Sequence, residues 1–147
     1  RNSVLIETAI KTGLRRSELA NLRVRDIDFT HSRLKVVNGK GGKDRAVPLV
    51  HALRDSLHKL REGKAPNDRG FGLEPRGLGL MVATWAKKAG VRLHTHSLRH
   101  HFTTTLVERG ANLRAVQELL GHENLSMPRV YLAVTARRLE GAIGLLE

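Results

Sequence analysis

Apolar residues recur at helical spacing over residues 3–12, where Val4, Leu5, Thr8, Ala9 and Thr12 share one face and Gly13 ends the run. Ser17 is placed to cap a short second helix, SELANL, that buries Leu19 and Leu22. The period then shortens. "DIDF" and "RLKVVN", separated by "THS", predict a hairpin, "GKGGK" (39–43) a tight glycine turn, and "DRAVPL" a third strand pairing back. Residues 50–62 return to the helical period, with Leu53, Leu57 and Leu60 inside. The Gly- and Pro-rich stretch 63–79 reads as a surface connection rather than a domain boundary, because each side alone is small. Helices are predicted near 77–89, 97–109 and 112–120, ended by Gly90, Gly110 and Gly121. A further short helix starts at Ser126-Met-Pro-Arg, with Pro128 in its first turn. A last one, 135–146, places Leu139, Ala142, Ile143 and Leu146 on one stripe. The expected class is α+β: mostly helical, with one small three-stranded antiparallel sheet.

Length and composition narrow the function classes. The 147 residues suit one domain with a real core, residues 1–147 as a unit. There is no cysteine, hence no disulfide and no thiolate zinc site. No apolar run approaches the roughly 20 residues of a membrane helix, so no membrane partner is expected. The formal net charge of +12 favours a polyanion partner. Aromatics make up only 3% of the chain, too few for the base-stacking platforms of single-strand binders, so the composition leans toward the backbone of a nucleic-acid duplex.

The chemistry concentrates in "HTHSLRHHF" (94–102). His96 and His100 are four apart, a spacing that binds zinc in HExxH helices, but Ser97 stands where that motif has its glutamate, and no carboxylate lies in the cluster. The other reading is a phosphate site: Arg99 follows His96 by three residues, and arginine grips phosphate bidentately with a permanent charge. His94 and His101 are expected to be surface or packing residues. One Arg–His pair does not decide between a metal and a phosphate.

Five motifs in order settle on a resemblance. "TGLRRSEL" (12–19), "GKGGKDRAVPL" (39–49), "HSLRH" (96–100), "LLGHENLS" (119–126) and "VY" (130–131) resemble, in sequence and order, the catalytic domain of the tyrosine recombinases, the phage-integrase family. The likeness spans residues 4–134; His122 follows Arg99 by 23 residues, and Tyr131, the only tyrosine, follows His122 by nine. The chain departs from the family at Met127 and Pro128, where two threonines are common, and at His94-Thr95, where Thr-Pro is frequent.

The resemblance implies a site-specific recombinase or integrase that cleaves and rejoins double-stranded DNA through a 3′-phosphotyrosyl intermediate, with neither metal, cofactor nor ATP. By position, Arg15 and Arg99 are the catalytic arginines, Lys40 the turn lysine and general acid (with Lys43 its rival), His96 the histidine of H-x-x-R, His122 the following histidine and Tyr131 the nucleophile. Glu18 and His100 match supporting residues. Lys43, Arg45, Arg23 and Arg25 are expected DNA-backbone contacts. The chain starts at Arg1, and the resemblance implies a preceding core-binding domain. It also implies a tetramer on DNA, joined through the C-terminal helix, in a prokaryotic cytoplasm at the nucleoid. The alternative is a catalytically inert, sequence-specific DNA-binding module on the same fold.

Overall fold

The computed structural model describes residues 1–37, 44–121 and 129–146, with Val130 and Tyr131 described by backbone alone. The predicted "GKGGK" turn, with Lys40 and Lys43, lies outside the described residues, as do His122 and the Ser126–Pro128 helix start. The elements in chain order are α1 (Asn2–Thr12), α2 (Arg16–Asn21), a 3-10 turn (Val24–Asp26), β1 (Ile27–Asp28), β2 (Arg33–Val36), β3 (Arg45–Pro48), α3 (His51–Leu60), α4 (Pro75–Lys88), α5 (Thr95–Glu108), α6 (Leu113–Leu120) and α7 (Arg129–Gly144). This is the α+β plan read from the periodicity, with strand order β1-β2-β3 and both pairings antiparallel.

The main core gathers Leu5, Leu14, Leu19, Leu34, Val47, Leu53, Leu57, Phe71, Leu78 and Val82, all nearly inaccessible to solvent. Burying each leucine contributes about 1.5–3 kcal/mol before entropy is charged against it. A second cluster, Phe102, Val107, Val116, Leu120 and Val134, ties α5, α6 and α7 together. Helix α1 packs on α5 and α3, α2 on α4, and α6 on β3. The arrangement sets the C-terminal end of α1, the start of α2, the inner face of β3 and the middle of α5 around one point.

Several boundaries differ from the sequence reading, each for a local reason. The cap of α2 is Arg15, not Ser17: the Arg15 N–H donates to Glu18 Oε1 at 2.8 Å, which satisfies an otherwise orphaned helix-start donor. Helix α4 starts at Pro75, whose ring suits a first helical turn, so the connection is shorter than 63–79. That connection is pinned to the body: the Val24 N–H donates to Asp68 O at 3.1 Å and the Gly70 N–H to Leu22 O at 2.8 Å. Helix α5 starts at Thr95, two residues early, with His94 as its cap residue. The separate helices expected around 126 and 135 are one continuous α7 from Arg129 to Gly144. Nothing between Val130 and Ala136 breaks a helix, and Val134 and Arg138 hold α7 against α5: Val134 is buried, and Arg138 Nη2 donates to Val107 O and Glu108 O, both at 2.9 Å, capping the end of α5.

Candidate functional site

Glycine sets the approach of the helices that build the site. Gly13 ends α1 with φ +68°, and a Cβ there would sit 2.3 Å from Phe102 Cδ1. Only glycine lets α5 come this close to the end of α1. That approach delivers Arg99, which shares the buried stripe of α5 with Thr95, Leu98, Phe102 and Thr103. Its Nη1 donates to Gly13 O at 2.6 Å and its Nη2 to Leu120 O at 2.8 Å. The guanidinium is thus clamped between the end of α1 and the end of α6.

Glu18 stands at the centre. Its carboxylate receives Arg45 Nη1 at 2.6 Å and Arg45 Nη2 at 3.0 Å, a bidentate pair. Arg15 Nη1 lies at 3.5 Å and Arg99 Nη1 at 3.9 Å. Burial alone would raise the Glu18 pKa, but the Arg45 hydrogen bonds, the Arg15 N–H and the charges of both arginines outweigh it, and the carboxyl is held below its ordinary value. Arg99 moves the other way: desolvation, then the like charge of Arg15, lower its pKa to about 10 against a partial offset from Glu18. Three guanidiniums face one carboxylate, so two positive charges stay uncompensated in a recess where side-chain exposure is 23% for Arg15 and 11% for Arg45 and Arg99. Such a recess attracts a tetrahedral anion.

The remaining expected residues fall at various distances from this point. His96 is exposed on the first turn of α5; residues three apart on a helix are offset by about 60°, so it borders the buried stripe that holds Arg99. Its ring stacks on that of His94, centroids 6.1 Å apart. His100 is exposed rather than tucked behind Arg99, and His94 and His101 are exposed as well. Tyr131 lies in the first turn of α7.

Arg45 is not the free backbone contact expected. Along β3 it shares the inward face with Val47, is mostly buried, and spends its donors on Glu18 and on Leu119 O (Nε, 2.9 Å). The period-2 alternation of "RAVP" places Arg45 and Val47 on one face, so this signal was present in the sequence. Arg23 and Arg25 also serve the fold: Arg23 Nη1 donates to Asn67 O at 3.2 Å and Arg25 Nη1 to Asn67 Oδ1 at 2.6 Å. An open groove of about 740 Å³ beside the sheet is lined by Arg25, Arg33, Lys35 and Arg45 together with Asp26, Asp28 and Asp44, so it adjoins the arginine recess through Arg45 but carries more acidic side chains. Among the described residues, no group of three or more His, Asp or Glu side chains is placed to hold a metal ion, and no helix is long and apolar enough to cross a membrane.

The model of the phage integrase family matches residues 1–138. The chain belongs to that family. A tyrosine recombinase XerA of Pyrococcus horikoshii is similar to this phage integrase family chain, 38% identical over an alignment of 153 positions that covers 97% of this chain and 54% of the relative. A tyrosine recombinase XerC of Oceanobacillus iheyensis is 39% identical, covering 97% of this chain and 52% of the relative. Among solved structures, a XerH site-specific recombinase bound to its difH substrate in a pre-cleavage complex is similar with TM-score 0.73 at 31% identity, over 100% of this chain and 47% of that one. The chain therefore spans about half the length of the curated relatives it matches. The seven helices named above and the small antiparallel sheet are the phage integrase catalytic fold.

Proposed function

We propose that this chain is the catalytic domain of a site-specific DNA recombinase that cleaves and rejoins duplex DNA through Tyr131. The observation that supports this most is the recessed arginine group: Arg15 and Arg99, from helices distant in sequence, flank one buried carboxylate with net positive charge in excess. In the proposed reaction, Tyr131 Oη attacks a backbone phosphorus. A phosphorus–tyrosyl oxygen bond forms and the bond to the 5′-oxygen breaks. His96 takes the tyrosine proton, and Lys40, with Lys43 as its rival, supplies a proton to the leaving 5′-oxygen. Arg15 and Arg99, with His122, hold the charge that gathers on the non-bridging oxygens. The phosphotyrosyl bond keeps the energy of the broken diester, so resealing is the same step run backwards and consumes no ATP. His100 remains a candidate supporting residue at the rim. Lys43 is a further candidate contact to the DNA backbone, and Arg23 and Arg25 would reach it only with donors that the fold leaves over.

Assembly on DNA follows from the same reading. Residues 139–146 of the C-terminal segment are exposed, including Leu139, Ile143, Leu145 and Leu146. An apolar stripe with no cover among the described residues suits a groove on a neighbouring protomer, which would link four protomers on DNA. The relatives' greater length fits a core-binding domain preceding this one. The alternative, an inert DNA-binding module, has no use for a recessed arginine pair.

The test is to incubate the full-length protein with a nicked suicide duplex carrying its target site. A covalent protein–DNA adduct is expected, insensitive to EDTA and abolished by Tyr131→Phe, with noncovalent binding kept. An adduct that survives Tyr131→Phe defeats the assignment of Tyr131, and one lost to EDTA defeats the metal-free reaction.

A further inference from the structure

Glu18 poses a difficulty for an arginine pair meant to hold phosphate. A buried carboxylate draws the nearest cations, and two of its neighbours are Arg15 and Arg99. Arginines folded onto Glu18 would have their charge and donors already used. The structure limits this with Arg45, whose fork covers both carboxylate oxygens at 2.6 and 3.0 Å; Arg15 Nη1 is left with one long hydrogen bond to Glu18 Oε2 at 3.5 Å, and Arg99 Nη1, held by Gly13 O, stays at 3.9 Å. The fork is held from behind as well. Arg45 Nε donates to Leu119 O at 2.9 Å, near the end of α6. Gly121, at φ +72°, leaves the room: a Cβ there would lie 2.8 Å from Arg45 Nη1.

We propose that Arg45 is a positioning residue: by occupying Glu18, it limits the carboxylate's hold on Arg15 and Arg99, so that the donors these arginines do not spend on Glu18, Gly13 O and Leu120 O stay available to the phosphate. This rests on the phosphoryl-transfer reading above. Arg45 touches no substrate in this account; it acts through Glu18. It also links three parts of the site. Its strand follows Lys40 and Lys43 in the chain, its fork reaches the carboxylate beside both arginines, and its Nε reaches the last turn of α6, just before His122 in the chain.

The account makes the effect of Glu18 change sign with its partner. In the parent protein Glu18 supports Arg15 through the Arg15 N–H, so Glu18→Gln slows cleavage. Without Arg45, the same carboxylate becomes a competitor for Arg15 and Arg99, so Glu18→Gln speeds cleavage.

The experiment measures single-turnover adduct formation on the suicide duplex by the full-length protein at saturating concentration. It compares the parent with Arg45→Met, which keeps the buried stem without the charge, with Glu18→Gln, and with the double variant. Arg45→Met is expected to slow the adduct by about 10²-fold, by analogy with losing a charge-stabilising donor, with duplex binding kept to within a few-fold. The double variant is expected to be faster than Arg45→Met, and Arg45→Lys, which restores a charge beside Glu18, to fall between parent and Arg45→Met. A double variant slower than Arg45→Met overturns the proposal. Directly paired residues couple in stability as well, so the rates are compared at a temperature where circular dichroism shows every variant folded, and a rate difference there reports the arginines and not the fold. Should Arg45→Met fail to fold, Arg45→Gln replaces it and is read in the same way. A crystal structure of the folded variant gives an arm independent of catalysis: Arg15 or Arg99 is expected within about 3 Å of the Glu18 carboxylate. Both arginines still standing off it overturn the proposal. A parent that forms no adduct counts against the recombinase reading alone, and the crystallographic arm then decides the role of Arg45.

Discussion

Gly13→Ala is the substitution whose cost the structure specifies best. Gly13 sits at φ +68°, where an L side chain adds about 1–2 kcal/mol of backbone strain. The new Cβ would also lie 2.3 Å from Phe102 Cδ1 and 2.7 Å from Cε1, so the ring or the whole of α5 must move. Overpacking of this kind costs about 1–3 kcal/mol, which brings the total to about 2–5 kcal/mol. For a chain of this length each kcal/mol lowers Tm by about 2–4 °C, hence a loss of about 4–20 °C. Gly90→Ala is the control: φ is +76° there, but nothing lies within 4 Å, so only the backbone strain is incurred. Urea unfolding followed by circular dichroism measures both. Adding Phe102→Leu to Gly13→Ala should recover part of the loss, with a coupling of about 0.5–3 kcal/mol between the two sites. A Gly13→Ala variant no less stable than Gly90→Ala, or strict additivity with Phe102→Leu, refutes the claim that Gly13 sets the approach of α5 and with it the depth of Arg99.

Three further outcomes are expected. Deleting residues 139–147 removes mostly exposed side chains, so unfolding free energy should change by no more than about 0.5 kcal/mol while assembly on DNA, read by native gel, weakens; a large loss of stability places the stripe in the core instead. Because the Glu18 pKa is lowered in the fold, its stabilisation is complete above the ordinary value of 4.5 and is lost as pH falls through the lower folded value. The stability gap between parent and Glu18→Gln should therefore hold steady near neutrality and close in acid, and a gap that widens on acidification contradicts the assignment. Duplex affinity of the chain, measured by fluorescence anisotropy, should fall steeply with salt, by about 10³-fold or more from about 50 to about 200 mM if six or more phosphates are contacted; a flat response refutes backbone-dominated binding.

Much of the site was legible because its residues come in local patterns. "TGLRRSEL" holds a helix stop, an arginine and, three residues on, the glutamate that bonds its N–H, all within one turn of chain. Arg99 was legible too, since it lies on the same helical stripe as Leu98 and Phe102, and a cation on an apolar stripe must be paired or clamped. The pairing of Arg45 was not legible, despite a readable alternation. Basic residues after a glycine turn look like surface clamps until the carboxylate they bury against is known, and Glu18 lies 27 residues earlier. The two C-terminal helices were separated where the chain holds one, since Pro128 marks a helix start but no residue after it marks a stop.

The sequence alone determined the period-2 and period-3.6 segments, the glycine stops, the charge and the order of the five motifs, because backbone sterics and side-chain spacing act over a few residues. It could not determine which cation meets which anion. Glu18 has three arginines within 4 Å, drawn from the cap of α2, from β3 and from α5, and the choice of Arg45 as its bidentate partner depends on how α5 clears Gly13 and how α6 ends at Gly121. Coulomb attraction has no preferred partner along a chain; it acts on whatever distances the packing of helices and sheet leaves, and only the tertiary structure fixes those distances.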